Sequence, residues 1–183
     1  MSAPTPSVPE LSRPVNVESL SDSAEVCLEI NADAGERANL ARRFGLVQLE
    51  SLMASVILCR TAADDVSLSG SLKAAVVQTC VVTLEPVRST IEARISRVFS
   101  PRATPEALDE TFIDPEGEEP PEFLAGDVVD AGEVVAETLG LEIDPFPRLP
   151  GAVFTAAQVP PEAEENTAKL GPFAALAKLK ERR

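Results

Sequence analysis

Two long runs of alternating hydrophobicity constrain this chain more than any other feature. Val66, Leu68, Leu72, Ala74 and Val76 alternate with Ser67, Ser69, Ser71 and Lys73. Further on, Val87, Ile91, Ala93, Ile95 and Phe99 share one face, with Arg88, Thr90, Glu92 and Arg94 opposite. A period of two is that of a half-buried strand. Joined by the short connection around Thr79–Thr83, the two runs predict one large antiparallel hairpin with Cys80 near its tip. Gly70 interrupts the first run and is expected to weaken it or mark a bulge. The expected class is α+β: an antiparallel sheet around a long β-hairpin, with two or three short helices, a flexible acidic loop and tails.

The flanking segments fill in that frame. Pro14–Glu18 and Ala24–Ile30 read as short strands, and Leu46–Arg60, apolar on both faces, reads as a central one. Asp64-Asp65 marks a turn. Asp33, with Glu36 three residues on, forms a capping box for a helix through Phe44, stopped at Gly45. Leu40 and Phe44 lie on its buried face, and Arg37, Arg42 and Arg43 mostly on the outer one. Asp130 and Glu133 form a second capping box, Val134, Val135, Thr138 and Leu139 an apolar stripe, and Gly140 the stop. Leu141–Pro147 is an extended segment fixed by Pro145 and Pro147. Pro101–Gly126 is either a mobile loop or a binding segment. The resulting organisation is a disordered tail over 1–13, an α+β domain over 14–150, a linker over 151–170 and an amphipathic basic helix over 171–183. Pro172 opens that helix, and Phe173, Leu176 and Leu179 follow helical spacing.

Charge divides the chain sharply. Between Ala103 and Pro147 there are fourteen carboxylates and no Lys or Arg, whereas the rest carries sixteen acids and sixteen bases. The formal charge of −14 therefore resides in one block, which repels phosphate and invites a basic partner. Glu116, Glu118, Glu119, Glu122, Asp127 and Asp130 are its partner-binding candidates. At the other extreme, Lys178, Lys180, Arg182 and Arg183 close the chain. With Phe173, Leu176 and Leu179 docked on protein, these cations can touch RNA phosphate without reading sequence. Equally, they can be mere complements to a helix dipole.

Much chemistry drops out. Without His, the Ser–His and Cys–His nucleophile pairs and histidine metal sites are absent. There is no Trp or Tyr to stack bases. Cys27, Cys59 and Cys80 are too widely spaced for a zinc knuckle or redox pair and are expected as reduced thiols. Near Cys80 no cation besides Arg88 lowers the thiol pKa, so it reads as a small apolar residue. Met1–Pro14 is neither signal peptide nor membrane span, so a cytoplasmic protein is expected. No catalytic residue, metal or cofactor is expected, and no DNA or membrane partner.

Four pieces in order resemble one family. Gly70 to Pro86, which includes Gln78, Cys80, Leu84 and Pro86, resembles the central motif of the YceD family, the large ribosomal RNA subunit accumulation proteins. Asp127, Asp130, Gly132 and Glu133 resemble its acidic helix start. Leu139–Arg148 resembles the segment after it, and Gly171–Lys180 the Asn-Pro-Phe ending. Many relatives carry a Cys-x-x-Cys at the hairpin, where this chain has Thr83 at the second position; Gly171 stands in place of the family's Asn. The resemblance implies a non-catalytic role in large-subunit rRNA accumulation and ribosome biogenesis. The implied partner is the large-subunit precursor, through ribosomal protein and/or rRNA. The alternative is an acidic adaptor or holdase for basic clients without RNA contact. Oligomeric state stays open.

Overall fold

The computed structural model describes residues 9–20, 25–61, 65–103, 120–124 and 126–154. Glu116, Glu118 and Glu119 lie outside the described residues, as do Phe173, Leu176, Lys178, Leu179, Lys180, Arg182 and Arg183 of the expected C-terminal helix. The chain divides into two compact units, Met1–Pro150 and Gly151–Arg183.

The first unit is α+β. Its strands are β1 (Pro14–Asn16), β2 (Val26–Asn31), β3 (Gln48–Arg60), β4 (Val66–Thr79), β5 (Pro86–Ser100), β6 (Glu122–Phe123) and β7 (Val128–Asp130). Among the described residues its helices are α1 (Ala34–Arg43) and α2 (Ala131–Glu142), with a 3₁₀ turn at Val17–Ser19. Five strands form an open sheet in the order β2-β3-β4-β5-β6, and β1 pairs with β7. From β2 to β5 the sheet is an antiparallel meander, and β6 joins the edge of β5 in parallel. The expected hairpin is β4–β5, paired without interruption from Val66↔Phe99 to Thr79↔Pro86.

Alternation decides which face is covered. Val56 and Leu58 of β3, Leu68, Leu72 and Val76 of β4, and Ile91, Ile95 and Phe99 of β5 form one buried face. It shares a core with Leu40 of α1 and with Val134, Val135 and Leu139 of α2. At the end of α1, Phe44 lies against the backbone of α2: a β-carbon at Gly140 would stand 2.8 Å from its ring. Gly140 is therefore a packing position inside α2 and not its stop, because the helix continues to Glu142.

Three further expectations give way to packing. β3 is not buried on both faces, since Met53 and Ile57 are exposed. A bulge between Leu49 and Ser51 shifts its phase, so Leu49 and Leu52, three residues apart, both turn inward. That phase change is what makes the sequence look apolar on both sides. Secondly, Gly70 is not at a bulge. Its register with Val56 is continuous, and a β-carbon there would clash with the Ser55 carbonyl oxygen and come 2.8 Å from Val56 Cα. Thirdly, order begins before Pro14. Leu11 is fully buried, worth roughly 2 kcal/mol, and the backbone around it approaches so closely that a β-carbon at Gly132 would meet the Leu11 carbonyl oxygen at 2.7 Å. The strand expected over Pro14–Glu18 becomes the short β1 and the 3₁₀ turn.

These close approaches set a stability test. Gly70→Ala and Gly132→Ala are each expected to lower unfolding free energy by about 1–3 kcal/mol, whereas Ser69→Ala on the open face changes it little. Chemical denaturation of the three variants measures the difference.

Candidate functional site

The hairpin tip is closed from both ends. The Cys80 N–H donates to the Glu85 carbonyl at 2.8 Å, and the Leu84 N–H donates to the Cys80 carbonyl at 3.0 Å. This forces the chain back through Leu84 at φ 62°, the one positive φ at a non-glycine residue among those described. The left-handed region costs a residue with a β-carbon on the order of 1 kcal/mol. Pro86 then opens β5 at a strand's first position, where its missing N–H is tolerated.

The segment after α2 is strapped over this tip. α2 ends at Glu142, Ile143 turns extended, and Asp144 precedes a proline, which disfavours helix. Asp144 Oδ1 accepts the Phe146 N–H at 2.8 Å, a local turn that shapes the strap. Gln78, nearly buried, donates its Nε2 to the Asp144 carbonyl at 2.8 Å. The Val81 N–H donates to the Pro147 carbonyl at 2.9 Å.

A third tie runs through sulfur. Cys80 is fully buried, and its Sγ accepts the N–H groups of Val82, Thr83 and Leu149, each at 3.4 Å. Hydrogen bonding from the Thr83 side chain, then from its backbone, outweighs burial and holds the thiol down at about 6 from an ordinary 9.0; the amides of Leu149 and Val82 add to this. The expectation that, Arg88 apart, no cation near Cys80 lowers its pKa considered charges alone. The groups that lower it are the Thr83 side chain and backbone amides, one of them 69 positions away. A zinc ion does not fit this tip: Thr83 offers a hydroxyl where a second thiolate would be needed. Among the described residues, moreover, no three His, Cys, Asp or Glu converge.

Tip and strap together expose three apolar side chains. Leu84 is 77% exposed, Phe146 68% and Val81 45%. Gln78, Cys80, Leu84 and Pro86 therefore gather at the tip, while Gly70 sits far along β4 in a packing role.

The acidic candidates fare differently from one another. Asp130 is employed inside the fold: Oδ1 accepts the N–H groups of Arg13 (2.7 Å), Gly132 (2.9 Å) and Glu133 (3.3 Å), and Oδ2 accepts the Ser12 hydroxyl at 2.6 Å. Its cap on α2 is as expected, but Glu133 turns to Arg43 instead of completing a capping box. Glu122 pairs with Arg97 at 3.1 Å. Asp127 is exposed.

Several further cations of the body lie against carboxylates: Arg13 with Glu36, Arg43 with Glu10 and Glu133, Lys73 with Glu92, Arg88 with Glu50, Arg102 with Asp65. In α1 the capping box of Asp33 and Glu36 forms as expected. Of its arginines, Arg37 turns inward to the Ala32 carbonyl, and Arg42 stays exposed beside Asn39.

The sulfur makes stability pH-dependent with a definite sign. A thiol whose folded pKa lies below its unfolded value stabilises the fold fully above the unfolded pKa, and loses that contribution as pH falls toward the folded one. The thermal-midpoint advantage of the native chain over Cys80→Ala is expected to be largest at pH 9 and to shrink toward pH 6. Lost packing is independent of pH, so a constant gap across that window would mean an uncharged thiol.

No helix among the described residues is long and apolar enough to cross a membrane. No curated protein and no solved structure matches the chain. A family model, described as the large ribosomal RNA subunit accumulation protein YceD, matches residues 68–180, more than half of the sequence. That span takes in the hairpin, the acidic block, α2 and the strap, so the chain belongs to the YceD family and to its role in large ribosomal RNA subunit accumulation.

Proposed function

We propose that this chain is a non-catalytic cytoplasmic factor in ribosome biogenesis that sustains large-subunit rRNA by holding a basic ribosomal protein. The observation that carries this reading is the charge pairing on the body. Arg13, Arg43, Lys73, Arg88, Arg97 and Arg102 each lie against a carboxylate. A phosphate-binding surface needs cations whose counter-charges are released by the nucleic acid. Paired arginines beside a chain surplus of −14 offer the opposite field. Ribosomal proteins are rich in Lys and Arg, so the same field steers them inward.

An acidic adaptor unrelated to ribosomes would share this charge, but family membership favours the ribosomal reading. Depletion in cells separates the two. Large-subunit rRNA is expected to fall relative to small-subunit rRNA, and tagged full-length protein is expected to retain large-subunit ribosomal proteins after ribonuclease treatment. Unchanged rRNA with retained basic clients would support the adaptor. Association abolished by ribonuclease would show that RNA, and not protein, is what the chain holds.

A further inference from the structure

The closed turn accounts for the backbone of Leu84 but not for a leucine at that position. Its backbone is held in the left-handed region, φ 62°, where Gly or Asn is the ordinary choice. Its side chain gains no burial in return, being 77% exposed. Observed strain at an exposed position points to function outside the fold. Two further apolar side chains share the corner. Val81 is tied to the strap through the Pro147 carbonyl, and Phe146 is the residue before Pro147, its ring 68% exposed. The hydrogen bonds of Gln78, Val81 and Leu149 hold both halves in place, so the apolar surface is fixed before any partner arrives.

Charge selects the occupant. Exposed Glu85 directly follows Leu84 and exposed Asp144 lies two residues before Phe146, against one cation on the strap, the likewise exposed Arg148. Arg88, just inside β5, is held by Glu50 at 3.2 Å. We infer that this corner of hairpin tip and strap is the docking site for a Lys/Arg-rich protein segment that inserts apolar side chains beside Leu84 and Phe146. The inference rests on the reading of the chain as a holder of basic ribosomal protein, and gives that contact a place. It assigns binding to a strained apolar side chain, with carboxylates supplying orientation and rate.

The test uses the full-length chain and a mixture of purified large-subunit ribosomal proteins, with bound species identified and their affinities measured. Leu84→Gly is the informative variant, because it relieves the backbone while removing the side chain. Its thermal midpoint is expected to match or exceed that of the native chain, while affinity for the retained basic protein falls about tenfold or more. Phe146→Ser is expected to weaken binding similarly, and Ser69→Ala on the open sheet face to leave it unchanged. Unaltered affinity in Leu84→Gly and Phe146→Ser would overturn the docking site while leaving the proposed function standing. Failure of the native chain to retain any ribosomal protein would instead remove the function on which the site rests. Loss in Leu84→Gly of bound rRNA, of a dimer, or of a crosslink to residues 171–183 would assign the corner to another occupant and likewise overturn the inference.

Discussion

An antiparallel sheet with one apolar face has to be covered, and that requirement places nearly everything else in this molecule. The meander of β3, β4 and β5 turns Val56, Leu58, Leu68, Leu72, Val76, Ile91 and Ile95 to one side. α1, α2 and the segment around Leu11 come down upon that side. Coverage is tight where glycine permits it: Gly132 admits the backbone at Leu11, and Gly140 admits the ring of Phe44. Once α2 lies across the sheet, its C-terminal end is delivered to the end of the β4–β5 hairpin. The strap of Asp144–Leu149 is the consequence, and its contacts with Gln78, Val81 and Cys80 convert two distant pieces of sequence into one surface.

The sulfur of Cys80 is lowered in pKa by hydrogen bonding. The Thr83 side chain contributes most, and three N–H donors, two from its own turn and one from the strap, act in the same sense. The turn that brings Val82 and Thr83 round to the sulfur is the same turn that places Leu84 in the left-handed region. Strain at the tip and charge stabilisation within it are thus two results of one backbone path. On the outside of that path Leu84 is exposed between Thr83 and Glu85.

Much of the fold was legible in the sequence, for a plain reason. Alternation over Val66–Val76 and Val87–Phe99 is a local pattern, and so is the capping box of Asp33 and Glu36; both appear in the structure. The misreadings concern residues whose role is set by distant neighbours. Gly140 looks like a stop until Phe44 arrives from α1, and Leu11 looks like tail until Gly132 opens space for it. The bulge that turns both Leu49 and Leu52 inward has no sequence signature of its own. At the candidate site the motif positions Gln78, Cys80 and Leu84 were visible, but the strap joining them to Asp144–Leu149 was not. Its one sequence trace was the pair Pro145 and Pro147, which fixed an extended segment without saying against what.

Contact between protein and the corner of tip and strap is measurable in the cell. A photoactivatable amino acid placed at position 84 of the full-length chain, and in parallel at position 69 on the open sheet face, tests this directly after irradiation of growing cells. Adducts with a basic large-subunit ribosomal protein are expected from position 84 and none from position 69. Adducts to rRNA from position 84, or the same protein captured equally from both positions, would rule out a protein-docking corner.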